Sequence, residues 1–252
     1  MPLQSLLRFL GKLTANKILE PGCSETQAVC DRIQCETALK KAKIHPLSLL
    51  LSSENYKRGQ GYQGKTKWEP DSSILKAIDY AFYKSFMNVE PMGKRFVVAV
   101  DVSTSLSSIV PGSSVSTAVA AAAITMMFVR TELDTHVLAY SEGALVSCSL
   151  SADMTLAQVT AELVKLPGGS TDCTLPITWA TENEKAVDVF IILTNNPLWT
   201  ENGLRVKMAV ILKMLVQYSC YTLPIKAGSL HFNHIFFYLF YLNPLLWYTE
   251  VK

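Results

Sequence analysis

The sequence predicts an α/β domain with a largely parallel sheet, preceded by a short α-helical segment. Residues 96–100 are an unbroken apolar run, and the segment 188–194 holds another at 189–193; both are typical of strands that are buried on both faces of a sheet. An alanine-rich helical stretch at 117–130, a strand-like run at 135–140 and a helical stretch at 155–166 lie between them. Strands that alternate with helices imply right-handed crossovers and parallel pairing.

Residues 1–92 show helical spacing of apolar residues and no strand pattern. Leucines recur from residue 3 to 13, and further helices are expected at roughly 26–41, from 45–46 to 56, and from 68–71 through 86. Short helices joined by brief turns favour an array of helical repeats over a closed bundle. We therefore divide the chain into a helical segment (1–92), an α/β core (93–198) and a tail (199–252).

Charge differs sharply between the two halves. Residues 1–95 hold 15 Lys and Arg against 9 Asp and Glu, a net charge of +6, whereas the remainder has a net charge of −4. The basic segment 1–95 favours binding of a polyanion, and the acidic remainder of the chain favours binding of a cation. The candidate phosphate contacts are Lys40, Lys41, Lys43, Lys57, Arg58, Lys65 and Lys67, with Tyr62 and Trp68 as candidates for stacking on an unpaired base. The alternative is that the lysines are merely solvated and that Trp68 is a core residue.

The first buried strand ends in Asp101-Val102-Ser103-Thr104-Ser105, which places one carboxylate and two spaced hydroxyls at its carboxyl end. Ligand sites in open α/β sheets lie outside the carboxyl ends of strands, and such oxygen ligands suit a hard cation such as Mg²⁺. A phosphatase of the haloacid dehalogenase type would need a second Asp where Ser103 stands. A simple strand-end cap is the other alternative.

Several functional classes find no support in the sequence. The six cysteines form no Cys-x-x-Cys pair, so we expect free thiols and no zinc site. Residues 59–64 match Gly-x-Gly-x-x-Gly but lack a preceding strand, so a basic loop is favoured over a dinucleotide site. No hydrolase elbow, P-loop or metalloprotease motif occurs, and the single imidazole of His136 is expected to be structural. We therefore expect no enzyme.

The tail is unusual in composition. A helix is plausible at 203–218, and Ile235–Leu242 is an apolar, aromatic-rich run of eight residues, far shorter than the roughly 20 that a membrane span needs. This run is either a core strand or the product of an alternative exon or translated intron, which would be prone to aggregation. The first twenty residues lack the continuous apolar core of a signal peptide, so a cytoplasmic or also nuclear location is expected.

Longer stretches carry a specific resemblance. They are 40–46 (Lys-Lys-Ala-Lys-Ile-His-Pro), the pattern of 56–68 (Tyr-Lys-x-Gly-x-Gly-x-x-Gly-Lys-x-Lys-Trp), 74–77, the join at 89–96 and the motif that begins at Asp101. Over residues 1–198 the chain resembles the Ro ribonucleoprotein autoantigen family, in which the helical-repeat TROVE module precedes a von Willebrand factor A-like domain. The motif Asp101-x-Ser103-x-Ser105 is similar to that domain's metal-ion-dependent adhesion site.

The resemblance implies binding of small non-coding RNA, namely Y RNAs and misfolded RNAs, with His45 added to the candidate RNA contacts. It also implies a divalent cation, expected to be Mg²⁺, held by Ser103, Ser105 and Thr171 with Asp101 on its waters and one position open for an acidic partner. Where the family has Thr-Asp-Asn, this chain has Thr194-Asn195-Asn196, so Asn195 predicts weaker cation binding or an empty site. Two alternatives are a metal-dependent protein-interaction module without RNA binding and a truncated, inactive isoform. No membrane partner is expected.

Overall fold

The structure is a computed structural model that describes residues 1–61, 66–102, 108–110, 113–141, 144–165, 175–194 and 236–241. For residues 144 and 236–241 only the backbone is described. The chain divides into two compact units, one formed by Met1–Glu90 with Ser113–Val115 and the other beginning at Pro91.

The first unit contains five α-helices. Their bounds are Leu3–Ala15 (α1), Ser24–Gln34 (α2), Glu36–Lys41 (α3), Pro46–Lys57 (α4) and Ser72–Lys84 (α5), followed by a short 3-10 helix at Ser85–Asn88. The α5 helix packs against both α2 and α4, and α1 packs against α4. The core of this unit is formed by apolar side chains from every helix, among them Leu10, Ile33, Leu39, Leu49, Ile74 and Ile78.

Local sequence accounts for the helix starts. Asp71 precedes α5, and its Oδ1 accepts hydrogen bonds from the backbone N–H groups of Ser73 and Ile74. Pro46 occupies the first turn of α4, where a missing N–H costs nothing.

The prediction of one helix over 26–41 is wrong, because Cys35 takes an extended conformation and divides the segment into α2 and α3.

The second unit is built on a five-stranded sheet in the order β3-β2-β1-β4-β5. The strands are Arg95–Asp101 (β1), Asp134–Ser141 (β2), Ala144–Cys148 (β3), Val189–Thr194 (β4) and Phe236–Tyr241 (β5). All neighbours pair in parallel except β2 and β3, which are antiparallel. The predicted α/β fold with a largely parallel sheet is therefore confirmed.

Helices cover both faces of this sheet. Thr117–Thr131 (α6) packs on one face, where Phe128 meets Phe96 of β1 at a ring-centroid distance of 5.0 Å, and Leu156–Leu163 (α7) packs against α6. Leu175–Glu182 (α8) covers the opposite face, which includes Val97, Leu138 and Phe190. Neither α8 nor β3 was predicted. Each is short, and β3 is an edge strand with one partner.

The tail bears on one prediction. Phe236–Tyr241 forms β5 and pairs in parallel with β4, which is the core-strand alternative for the aromatic-rich run. The predicted helix at 203–218 lies outside the described residues.

Within the described part of the chain, no helix is long and apolar enough to cross a membrane. The four cysteines described there, at 23, 30, 35 and 148, are free.

Candidate nucleic-acid interface and sheet-edge site

The structure places the predicted RNA contacts at two ends of one helix. Lys40, Lys41 and Lys43, here called the α3 cluster, lie just before α4, and Lys57, Arg58 and Lys67, here called the hairpin cluster, lie at its other end. All six side chains are exposed. The α4 helix has 12 residues, which at 1.5 Å per residue separates its ends by about 18 Å. The predicted contacts thus form two groups, and Lys65 lies outside the described residues.

The α3 cluster sits on a tightly specified helix end. The N–H of Ile44 donates to the Leu39 carbonyl at 3.1 Å and that of Lys43 donates to the Lys40 carbonyl at 3.1 Å, which is the double hydrogen bond of a Schellman motif. Lys43 takes the left-handed conformation that this motif requires, with φ of 47°. Asn88 Nδ2 also donates to the carbonyls of Leu39 (3.2 Å) and Ile44 (2.8 Å). The backbone around these lysines is therefore fixed both by the hydrogen bonds of the helix end and by those from Asn88.

His45 has a structural position. Its Nδ1 accepts a hydrogen bond from the N–H of Leu47 at 3.2 Å and so caps the start of α4. Burial lowers the pKa of His45 below its ordinary value. The ring is therefore neutral near pH 7 and contributes no positive charge there, so its predicted RNA contact would have to be a hydrogen bond.

The hairpin cluster is carried by a short antiparallel ladder. Gln60 and Lys67 form a β-bridge, Gly61 N–H donates to the Thr66 carbonyl at 2.7 Å, and Trp68 N–H donates to the Gly59 carbonyl at 2.9 Å. Gly59 has φ of +66°, and a Cβ there would lie 2.9 Å from the Trp68 carbonyl oxygen, so only glycine fits. Helix α4 ends immediately before these glycines, which is not the strand-before-glycine context of a dinucleotide fingerprint.

Trp68 fixes this hairpin to the helices. Its Nε1 donates to the Tyr56 carbonyl at 2.9 Å, its ring stacks on the Tyr56 ring at a centroid distance of 6.3 Å, and its six-membered ring lies on the backbone of Gly11 in α1. The Tyr56 hydroxyl is itself within 3.0 Å of Thr14 Oγ1 and accepts from the N–H of Asp71 at 3.2 Å. These contacts favour the alternative that Trp68 is a core residue, and Tyr62, the other candidate for stacking, lies outside the described residues.

The cations are weakly engaged by carboxylates. Lys57 Nζ pairs with Glu54 at 2.7 Å, but its side chain remains 53% exposed, and such surface pairs contribute roughly 0–1 kcal/mol. Arg58 Nε donates to the Gln60 carbonyl at 3.0 Å, which aims the guanidinium along the hairpin. Lys57 can therefore exchange its carboxylate partner for a phosphate oxygen at little cost.

A second candidate site lies at the carboxyl end of the sheet. Asp101 ends β1 and Thr194 ends the adjacent parallel strand β4, and both side chains are buried, Asp101 being 2% exposed. Thr194 Oγ1 donates to Asp101 Oδ2 at 2.5 Å. Carboxylate and hydroxyl oxygens at one sheet edge are the chemistry that Mg²⁺ prefers, so the donor set fits the predicted cation. The other predicted ligands, Ser103, Ser105, Thr171 and Asn195, lie outside the described residues.

The remaining prominent polar groups of this unit are structural. Asp188 accepts from Arg95 through N, Nε and Nη2 at the amino ends of β4 and β1, away from the Asp101 edge. These hydrogen bonds lower the pKa of Asp188 to about 2. His136 lies edge-on against Trp179 at 5.6 Å, as expected for a structural imidazole. Among the described residues, no group of three or more His, Cys, Asp or Glu could hold a metal ion.

A central, largely parallel sheet with helices on both faces and a buried aspartate at the end of β1 is the architecture expected of a von Willebrand factor A-type domain. Residues 95–210 match the family model described as the Ro60 vWA domain. The chain is 35% identical over 199 residues to the RNA-binding protein RO60 of Caenorhabditis elegans, covering 79% of this chain and 30% of that protein. It is 36% identical over 204 residues to the RNA-binding protein RO60 of Deinococcus radiodurans, covering 77% of this chain and 37% of that protein.

A solved structure agrees with these relatives. The crystal structure of the Deinococcus radiodurans RO (RSR) protein superposes with a TM-score of 0.75 at 35% identity, covering 79% of this chain and 40% of that one. Residues 95–210 therefore match the Ro60 vWA domain, and over nearly four fifths of its length the chain is similar to Ro60 proteins, the resemblance that its motifs predicted. It spans about a third of the length of the curated relatives it matches.

Proposed function

We propose that this chain is an RNA-binding component of a Ro-type ribonucleoprotein, that it contacts small non-coding RNAs such as Y RNAs and misfolded RNAs, and that it acts in the cytoplasm, or also in the nucleus, without catalysis. The observation that carries the proposal is the pair of exposed basic clusters on a helical unit whose family relatives are named RNA-binding proteins. Exposed Lys and Arg supply the sequence-independent part of nucleic-acid affinity by releasing counterions from phosphates.

The geometry supports contact with a strand rather than with a single phosphate. The two clusters are about 18 Å apart along α4, a distance that follows from the helical rise, so one ligand that reaches both must extend over several nucleotides. Each cluster is held by a side chain that donates to a backbone carbonyl, Asn88 Nδ2 to Leu39 in one case and Trp68 Nε1 to Tyr56 in the other. Ordered cations lose less entropy on binding than cations on loose segments.

The test is binding of fluorescently labelled structured RNA to the full chain at two salt concentrations. Variants Lys40→Gln with Lys41→Gln, and Lys57→Gln with Lys67→Gln, each remove two positive charges. Lys76→Gln with Lys185→Gln, at exposed lysines outside both clusters, is the matched control. Each lost phosphate contact should lower the slope of log affinity against log salt by about 0.7 to 0.9. An RNA affinity that does not change with salt, or no binding by a folded chain, would refute the proposal.

A second candidate function is a metal-dependent interaction site in the α/β unit, and the Asp101–Thr194 pair favours it. Ser103, Ser105 and Thr171 would hold Mg²⁺, which when bound supplies a Lewis-acidic position for an acidic partner. Asp101 accepts hydrogen bonds and carries the negative charge that a cation needs nearby. Asn195 keeps an acceptor oxygen but lacks the charge of an aspartate.

Calorimetric titration with Mg²⁺ tests this second candidate. We expect weak binding by the chain, loss of binding in Asp101→Asn, and tighter binding in Asn195→Asp because a full negative charge is added near a dication. Thr194→Ser keeps the hydroxyl and is the control. An Asn195→Asp variant that binds Mg²⁺ no better than the parent chain would contradict the assignment of that residue.

A further inference from the structure

The start of α3 and the end of α5 meet at a carboxylate, Glu36, that the sequence patterns for RNA contact did not include. Lys84 Nζ, in the last turn of α5, lies 2.7 Å from Glu36 Oε1 in the first turn of α3. The Tyr80 hydroxyl, one turn earlier on α5, donates to the same oxygen at 3.3 Å. The Lys84 ammonium group also lies 5.4 Å from the centroid of the Tyr80 ring. The Lys84 side chain is therefore fixed on the surface of the helical unit by its contact with Glu36.

This contact is continuous with the α3 cluster. Lys40 is four residues after Glu36 in α3, so the two side chains lie on one face of the helix with Cβ atoms about 5–6 Å apart. The segment that follows α5 is fixed to the other end of α3, because Asn88 Nδ2 donates to the Leu39 carbonyl at 3.2 Å. Hydrogen bonds at both ends of α3 thus place Lys84 beside Lys40 on one surface.

Glu36 and RNA phosphates would bind the same group. The side chains of Lys84 and Glu36 are 44% and 48% exposed, so a ligand can reach both. The hydrogen bond from Lys84 lowers the pKa of Glu36, which is therefore ionised near pH 7. Within the described part of the chain, the three lysines of the α3 cluster form no salt bridge, whereas Lys84 does. A carboxylate and a phosphate are both strong acceptors for an ammonium donor, so they compete for Lys84.

We infer that Lys84 is a phosphate-binding residue of the surface that carries the α3 cluster, and that Glu36 lowers the RNA affinity of this surface by pairing with Lys84. The lysines of the α3 cluster contact phosphates without such competition. Glu36 thus sets how tightly this surface binds RNA. This inference rests on the proposed RNA-binding function and assigns a regulation to one of its two clusters.

Glu36→Gln tests the inference because it should raise RNA affinity, which unfolding cannot do. Binding of fluorescently labelled structured RNA to the full chain is measured at 50 and 200 mM salt. Release of Lys84 adds about one phosphate contact, so the slope of log affinity against log salt should steepen by about 0.7 to 0.9, and the gain over the parent should be about threefold larger at the lower salt. Glu20→Gln removes the same charge and should leave the slope unchanged, because α2 separates it from Glu36 by about 16 Å.

Two double variants separate the contact with Lys84 from an effect of net charge. Glu36→Gln with Lys84→Gln should return the slope to that of the parent chain. Glu36→Gln with Lys76→Gln has the same net charge but keeps Lys84, so it should retain the steeper slope. Lys76 is exposed and lies eight residues before Lys84 on α5, a distance of about 12 Å along the helix.

All the substituted residues are exposed, so the circular dichroism spectrum of each variant should match that of the parent chain. If the parent binds RNA but Glu36→Gln behaves like Glu20→Gln, or if the two double variants give the same slope, the inference is wrong and the proposed function stands. If only Glu36→Gln binds RNA, the inference holds and the proposed function fails for the parent chain. If neither binds RNA, both are refuted.

Discussion

The substitution Gly11→Ala should have two opposing effects on the stability of the helical unit. Gly11 lies inside α1, where alanine would ordinarily stabilise a helix by about 1 kcal/mol. The added Cβ, however, would lie 2.5, 2.6 and 2.7 Å from Cζ2, Cη2 and Cε2 of Trp68. These atoms belong to a rigid ring that is stacked on Tyr56 and hydrogen-bonded to its carbonyl, so the ring cannot move without losing contacts.

The net effect should be a loss of stability. Overpacking a well-filled site costs about 1–3 kcal/mol. The Nε1 hydrogen bond of Trp68, worth about 1 kcal/mol, would be strained or broken. Set against a gain of about 1 kcal/mol from helix propensity, the local free energy of unfolding should fall by about 1–3 kcal/mol.

Hydrogen exchange of residues 57–70 in the full chain is the suitable assay, because the chain has two compact units and a single unfolding midpoint would mix them. The matched control is the same substitution in a Trp68→Leu background, where the clashing ring atoms are gone. There Gly11→Ala should stabilise the helix by up to about 1 kcal/mol. Stabilisation of the same size in both backgrounds would show that the Trp68–Gly11 contact does not constrain the hairpin.

Three further predictions concern pH, backbone conformation and buried hydrogen bonds. Hydrogen bonds from Arg95 lower the pKa of Asp188 from 3.8 to about 2, so the stability they contribute is complete above pH 4 and is lost as the pH falls towards 2. Asp188→Asn should flatten that part of the pH–stability profile and cost about 1 kcal/mol at pH 7, allowing for solvent screening at the half-exposed guanidinium. Lys43→Gly relieves a left-handed conformation and should leave thermal stability unchanged or raise it by up to about 1 kcal/mol, while Lys43→Ala should not raise it. Asn88→Ala removes two hydrogen bonds to carbonyls around the α3 cluster and should cost about 1–3 kcal/mol, seen as faster amide exchange over residues 39–44.

The parts of the fold that sequence could predict are those with long, regular patterns. Strands β1 and β4 are buried on both faces of the sheet, and helix α6 is largely buried and rich in alanine. Each therefore leaves a long apolar run in the sequence. The division of residues 26–41 was not predictable, because it depends on the extended backbone of Cys35, a residue with no strong preference against helix. The short α8 and β3 gain their structure from packing on the sheet, and eight or fewer residues carry too little pattern to stand out.

The sequence predicted which types of residue form the candidate site but not where they lie relative to one another. Counting lysines identified a basic segment, but only the helix geometry separates the α3 cluster from the hairpin cluster by the length of α4. Trp68 was weighed as a base-stacking residue because nothing in its local sequence shows that it rests on Gly11, some 57 positions earlier by residue number.

The buried carboxylate of Asp101 decides how the two candidate activities can be separated. A carboxylate that is 2% exposed costs several kcal/mol unless hydrogen bonds compensate it, and Thr194 donates one from the neighbouring strand. This compensation comes from the protein itself, so the sheet should remain folded when divalent cations are removed. A chelator should therefore leave the circular dichroism spectrum and the salt-dependent RNA affinity unchanged while it abolishes any cation-dependent partner binding. If the chelator also unfolds the sheet, Thr194 does not compensate the charge of Asp101, and a bound cation must be part of the stable fold.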